Sequence, residues 1–329
     1  MPDPKIHSLN VKTGDCFLIE RSSGRVTMID ICCGNLEINE PDKVTIPEPS
    51  AYKPSGNYDM RSKPTNPLNY LLINGISNIW RFILTHPDMD HMDGIKKLFN
   101  NKSILHFWDC GIRRKEKPDF EEGSYNEDDW SLYEDLIGGK IKSTTVISPR
   151  AGSKGKFWNT DNDEGTGAGD YISIIAPNNE LIESANKSGD TNDASYVIVY
   201  RSSAGKIVFS GDSNDKTWEY VLNNHKDLVD NVAVLFAPHH GRKSDRDYSF
   251  LNTLRPRISF FGCAPSEHLA YSAWQSRDLL YFTNNQCGNI NIYPVDDKIQ
   301  VFIENKTYAS CYTAGNTYEK NNHWFLYEV

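Results

Sequence analysis

The chain has 329 residues, enough to bury one large or two modest cores, and a 38% hydrophobic fraction with seven tryptophans and seventeen tyrosines excludes disorder as its default state. A formal net charge of −9 argues against a protein that coats long nucleic acids, which needs a concentrated cationic surface. No apolar stretch approaches the roughly 20 residues that span a bilayer, the opening Met1-Pro2-Asp3-Pro4-Lys5 lacks the apolar core of a secretory signal, and seven cysteines without C-x-x-C spacing offer no disulfide framework or zinc ribbon, so a free-standing cytoplasmic protein is expected.

Both ends of the chain are strand-rich, with helices between. Residues 36–66 hold five prolines among scattered charges and read as an extended surface loop. Asn66 to Gly75 reads as a short helix with Asn66 as cap, Pro67 at the first helical position and Gly75 as the stop. The apolar run Trp80-Arg81-Phe82-Ile83-Leu84-Thr85 then predicts a strand, and a helix over Asp93 to Phe99 is expected after the loop that follows it, with Lys96 and Lys97 facing solvent. His106, within Ile104-Leu105-His106-Phe107-Trp108, reads as a buried strand residue. Residues 111–169 begin basic at Arg113-Arg114-Lys115, turn acidic at Glu121-Glu122 and Asp128-Asp129, and end Gly-rich; with 36–66 they are expected as insertions, serving as a lid, a protein-partner interface or a mobile surface loop. No repeat of solenoid period occurs, and the tail from Tyr308 to Val329 is expected to end in a strand packed on the core.

Three strand ends carry the chemistry. The hexapeptide His86-Pro87-Asp88-Met89-Asp90-His91 sets two imidazoles and two carboxylates just past the first strand, where a loop can splay them around one point. Such nitrogen and oxygen donors suit zinc, manganese or iron; alone, the segment could equally be an acidic solvated loop or a helix start capped by Asp88 and Asp90. Lys206-Ile207-Val208-Phe209-Ser210-Gly211-Asp212 delivers a carboxylate at a second strand end, and Val232 to Phe236 followed by Ala237-Pro238-His239-His240-Gly241 delivers two histidines at a third. Sites in layered α/β proteins sit beyond strand ends in this way. Cys32 and Cys33 are expected to be packing residues.

With these segments in hand, the chain resembles the metallo-β-lactamase-fold hydrolases, whose signature is H-x-H-x-D-H, with Asp88 in place of the second histidine. That variant is similar to the subgroup typified by the C-terminal domain of ComEC-type DNA-uptake proteins. Further motifs match in order over roughly residues 7 to 303: Val11 to Ile19 resembles its opening strand pair, Thr27 to Gly34 its first motif, Asn192-Asp193-Ala194-Ser195 and the following strand its N-x-x-S segment, and Thr283 to Ile292 its closing hairpin. The resemblance implies a four-layer αβ/βα sandwich of two mixed sheets, one domain over 1–329 with loop insertions at about 36–66 and 111–169.

It also implies one or two divalent metal ions, zinc or manganese, with His86 and Asp88 at one position, Asp90, His91 and His240 at the other, and Asp212 bridging. Asp30 is implied to orient a ligand histidine. His240 is preferred to His239 as the ligand, leaving His239 to support the site or touch substrate. Asp88 hardens the first position toward manganese or magnesium. The separate histidine most relatives supply between the hexapeptide and Gly211-Asp212 is missing, so Asn192, Ser195 or substrate oxygens would complete that position. A site of this type lowers the pKa of a water toward neutrality and yields a hydroxide, oriented by Asp90 or Asp212. The implied substrate is a phosphodiester, DNA or a small nucleotide, the latter better suited to the acidic charge. Arg242 and Lys243 could pair with a phosphate or be merely solvated, and His268 is an expected proton donor to the leaving group. The alternatives are a lactone or ester hydrolase of the same fold, or a partner-binding subunit of a larger assembly that keeps a structural metal site.

Overall fold

The structure, a computed structural model, describes residues 4–37, 55–114, 117–120, 125–244 and 246–329. Most of the predicted loop at 36–66 lies outside these, as do Lys115, Glu121 and Glu122.

The first sheet begins with an antiparallel meander of β1 (Lys5–Ser8), β2 (Phe17–Glu20) and β3 (Val26–Ile29), to which β4 (Asn78–Leu84), β5 (Ser103–Asp109) and β6 (Thr145–Ile147) add in parallel. The second consists of β7 (Ile172–Ala176), β8 (Val197–Ser202), β9 (Gly205–Phe209), β10 (Val234–Phe236), β11 (Ile258–Phe261) and β12 (Tyr281–Thr283), parallel from β9 onward. The chain then returns to the far side of the first sheet as β13 (Ile290–Val295), β14 (Lys298–Ile303), β15 (Glu319–Lys320) and β16 (His323–Glu328), giving the order β15-β16-β14-β13-β1-β2-β3-β4-β5-β6. The tail therefore ends in a strand, as the sequence predicts, preceded by a helix over Lys306–Tyr312.

Side-chain alternation builds the layers. In β2, Phe17 and Ile19 enter the core between the sheets while Leu18 faces outward; in β4, Ile83 points in while Phe82 and Leu84 point out. The outward set packs under the helices Pro67–Ile73, Ile95–Asn101 and Glu127–Ile137 through Tyr70, Leu71, Leu98, Trp130 and Leu136. On the other side, Leu181, Trp218, Leu254 and Trp274 from four more helices join the core of the second sheet. This is the four-layer α/β sandwich expected, and the parallel strands β9, β10 and β11, covered on both faces, are apolar along almost their whole length.

Local signals held at the first helix. Asn66 Oδ1 accepts from the backbone N–H groups of Leu68 and Asn69, Pro67 opens the helix, and Gly75 takes a left-handed φ of 67° just past its end. The next helix starts two residues later than the sequence suggests, at Ile95, because the Asp93 carboxylate is spent on Cys33 N–H and the Asn35 amide, and Gly94 (φ 95°) turns the chain. Lys97 is exposed and Lys96 half-buried. His106 is half-buried rather than buried, standing against the Trp80 ring on the neighbouring strand. Cys32 and Cys33 are buried. Within 111–169 the chain forms the Glu127–Ile137 helix and β6, and Asp129 accepts from the backbone of Gly94 and Lys96, which ties this stretch to the helix after the hexapeptide.

Candidate metal centre

The hexapeptide leaves β4 in extended backbone and closes a single turn at Met89–His91, so its four donor groups do not spread around a helix. Asp212 follows β9 through Gly211, and His239 and His240 follow β10 in left-handed backbone (φ 52° and 56°) that turns both imidazoles back over the strand ends. A Cβ on Gly211 would lie 2.4 Å from Ser195 Oγ, so glycine is what lets Asp212 approach.

Histidine tautomers follow from the neighbours. His91 Nδ1 lies 2.8 Å from Asp30 Oδ2, and a carboxylate only accepts, so Nδ1 carries a proton and Nε2 is the nitrogen turned toward Asp212. His240 Nδ1 lies 3.1 Å from Asp15 Oδ1, close enough for that carboxylate's charge to act on the ring. Thr85 Oγ1 donates to Asp30 Oδ2 at 2.7 Å and so can only accept from His86 Nδ1, 3.1 Å away; Ser195 Oγ is 3.3 Å from the same nitrogen. All three Nε2 atoms are buried without a hydrogen-bond partner and converge, as does Asp212 Oδ1. His91 Nε2 is 3.4 Å from Asp212 Oδ1, His240 Nε2 is 3.6 Å from Asp212 Oδ2 and 3.5 Å from Asp90 Oδ2, and His86 Nε2 is 3.9 Å from Asp212 Oδ2 and 3.6 Å from Asp88 Oδ2. Buried polar atoms left without partners are costly, so ligand-type atoms converging in this way fit a cation between them.

Among the described residues, three groups have the spacing to hold a metal ion around this point: His86, His91 and Asp212; Asp90, His91 and His240; and Asp15, Asp212 and His240. The charges interlock. Burial would depress His91 and His240, but Asp212, with Asp30 and Asp90 at His91 and Asp15 at His240, outweighs it and pushes both well above the usual imidazole range. Burial works equally to raise Asp212 and Asp90, and the facing imidazoles outweigh it and hold both carboxyls low. His239 differs. Burial, with Arg246 and His240 nearby, lowers it to about 4 despite Asp212, and Arg246 Nη1 lies 2.7 Å from its Nδ1. His239 thus sits beside Asp212 (Nε2 to Oδ2, 3.6 Å) as a neutral ring held from behind by arginine.

Of the other residues singled out in the sequence, Ser195 bridges His86 and Asp212, whose N–H donates to Ser195 Oγ at 3.0 Å. Asn192 lies in the turn just before it, with a buried unpartnered Oδ1. Arg242 is close enough to His239 for its charge to act there, while Lys243 is exposed and donates its backbone N–H to His268 O. His268 is exposed on the turn Ser266–His268; the residue after it pairs with Arg242, so the imidazole belongs to the rim and not to the converging set. Four participants escaped individual notice in the sequence: Asp15, Thr85, Thr191 and Arg246. Asp15 and Thr85 stood inside segments already picked out, but nothing local marks Thr191 or Arg246. Asp88 Oδ1 accepts from Thr191 Oγ1 (2.9 Å) and Arg114 Nη1 (3.0 Å), and Arg246 Nη2 donates to the Asp212 carbonyl at 2.9 Å.

No family model matches the chain, and no curated protein matches it. Solved structures similar to it include the metallo-β-lactamase fold protein YhfI from Bacillus subtilis, 10% identical over 85% of this chain and 97% of that one with a TM-score of 0.46. Tm1679, described as a metal-dependent hydrolase of the β-lactamase superfamily, is 14% identical over 85% and 95% (TM-score 0.46). Unliganded yeast PDE1 is 12% identical over 86% and 98% (TM-score 0.43).

Proposed function

We propose that this protein is a metal-dependent phosphodiesterase or nuclease similar to the ComEC-like subgroup. The observation that carries the reading is the convergence on Asp212 of the Nε2 atoms of His86, His91 and His240, all three buried without a hydrogen-bond partner. His86 and Asp88 would hold one divalent ion and Asp90, His91 and His240 the other, with Asp212 shared. Asp88 already serves Arg114 and Thr191 through Oδ1, which leaves Oδ2 for the first position and makes it the weaker of the two. Its oxygen-rich character favours manganese there, and nitrogen at the second favours zinc. When bound, such ions lower the pKa of a water and offset charge developing on a phosphoryl group.

The chain's own residues do the rest. Asp212 Oδ1 and Asp90 accept a hydrogen bond from the attacking water and orient it, and His239, backed by Arg246, keeps its remaining proton toward the site. Arg114 and Arg242 border the centre and match a phosphodiester's charge, which a lactone or carboxylic ester lacks. His268 on the rim would protonate the leaving oxygen. With a net charge of −9, a cyclic nucleotide or other small phosphodiester suits the molecule better than duplex DNA.

Cleavage of bis(p-nitrophenyl) phosphate and of labelled single- and double-stranded DNA tests this, using metal-stripped protein with manganese or zinc restored, beside the Asp90→Ala/His91→Ala variant. Metal-dependent cleavage that falls to background in the variant is expected. Failure to cleave with either metal, or turnover only of p-nitrophenyl esters, would overturn it.

A further inference from the structure

At the end of the sheets opposite the metal centre lies a cleft of about 760 Å³. The strands that bring Asp30 and Asp212 to the centre, β3 and β9, begin at this cleft: it is bounded by the turn Arg21–Arg25 before β3 and by Arg201 to Ser203 before β9, with Asp170 and Tyr171 ahead of β7. Four or five residues of strand at ~3.3 Å each put it roughly 15 Å from the metal centre.

Its charge is unbalanced. Among the described residues lining it are three arginines, Arg21, Arg25 and Arg201, and one carboxylate, Asp170. That carboxylate is fully engaged by Arg25, through Nε at 3.1 Å and Nη2 at 2.7 Å, with Arg81 Nη1 3.6 Å away. Arg21 is left over. Its side chain is buried, its guanidinium lies 4.2 Å from the centre of the Tyr200 ring and interacts with that residue's hydroxyl and with the charge of Asp170, and its Nε and Nη2 have no hydrogen-bond partner. Buried guanidinium nitrogens without an acceptor are costly. Across the mouth, Arg201 stands over the half-exposed ring of Tyr171, held in left-handed backbone at φ 60°.

We propose that this cleft is a second ligand site, which binds the phosphate group of a nucleotide-sized molecule between Arg21 and Arg201. Arg21, held on Tyr200 in the cleft wall, supplies positive charge to phosphate oxygens; Arg201 closes from the solvent side, and the Tyr171 ring is the flat surface available to a base. Sharing β3 and β9 with the metal centre, the site belongs to the same rigid sheets without using any residue of that centre.

Isothermal calorimetry of the intact protein with inorganic pyrophosphate, AMP and adenosine tests the assignment. Arg21→Met keeps the buried stem on Tyr200 and removes the charge, Arg201→Gln removes the exposed partner without touching the core, and Asp212→Ala removes the metal centre. Pyrophosphate and AMP should bind and adenosine should not, with Kd at least tenfold weaker in both arginine variants and unchanged in Asp212→Ala; AMP binding tighter than pyrophosphate would assign the difference to Tyr171. Absence of binding by wild type at millimolar ligand, or binding lost in Asp212→Ala and kept in the folded Arg201→Gln variant, would overturn the proposal.

Discussion

Asp30 shows how one side chain can govern a centre it does not enter. Held in left-handed backbone at φ 56°, fully buried, it accepts from Thr85 N–H, Thr85 Oγ1 and His91 Nδ1, and through Thr85 it also fixes His86. Asp30→Ala should therefore lower metal affinity about 10- to 100-fold and turnover with it, the range found when such supporting partners are removed; metal content after dialysis, read beside kcat, checks this, and full occupancy in the variant would contradict it. A second buried histidine lies well away from the chemistry. His7 is sandwiched between Tyr70 Oη (2.7 Å) and Glu20 Oε1 (2.5 Å), and burial lowers it to about 4 in spite of Glu20. An unfolded histidine titrates near 6.5. Between those values the unfolded chain takes a proton that the folded chain refuses, so this stability is complete above pH 6.5 and drains away as pH falls toward 4. It amounts to on the order of 3 kcal/mol. Urea unfolding at pH 7 and pH 5 should show a steeper loss in wild type than in His7→Gln; equal slopes would refute the assignment.

The elements that matter most to the centre are short connections between strands. The loop from β1 to β2 passes so close to the hexapeptide that a Cβ on Gly14, at φ 66°, would fall 1.7 Å from the Asp90 carbonyl oxygen. The same loop brings Asp15 behind His240. Gly14→Ala should push Asp90 off the converging donors, costing about 1 to 3 kcal/mol through backbone strain and at least tenfold in metal affinity. A thermal midpoint and metal content both equal to wild type would show the approach to be slack. Asn66, Pro67 and Gly75 make a contrast: a cap, a starter and a stop that acted locally and could be read as such.

For the whole molecule, the centre is a seam between the two sheets: β3 and β4 from one and β9 and β10 from the other each deliver part of it. Without a counterion, Asp15, Asp30, Asp88, Asp90 and Asp212 crowd that seam, and the lifted imidazoles of His91 and His240 offset only part of their charge. Restoring manganese or zinc to stripped protein should raise the unfolding midpoint, with ~2.7 kcal/mol gained at a hundredfold excess over Kd, and the gain should vanish in Asp212→Ala. Protons compete with the metal for the raised imidazoles, so affinity should also weaken as pH is lowered. A midpoint indifferent to metal would mean the donors do not act together.

What the sequence determined by itself was whatever depends on neighbours along the chain. The strands ending in His86, Asp212 and His240 and the capped helix at Asn66 follow from local apolar runs and their punctuation, and the layered α/β class from the motif resemblance those strands carry. The supporting cast did not. Thr191 and Arg246 carry no local signature, and Asp15 stood unmarked inside its segment, because each acts across the fold: Asp15 on His240, Thr191 on Asp88, and Arg246 on Asp212. Only the packing of sheet on sheet decided that His240 stands beside Asp15, that Arg114 shares Asp88, and that Arg21 lines a cleft at the opposite end. Hydrogen-bond partners and desolvation are properties of three-dimensional neighbourhoods, whereas periodicity and capping are properties of the chain.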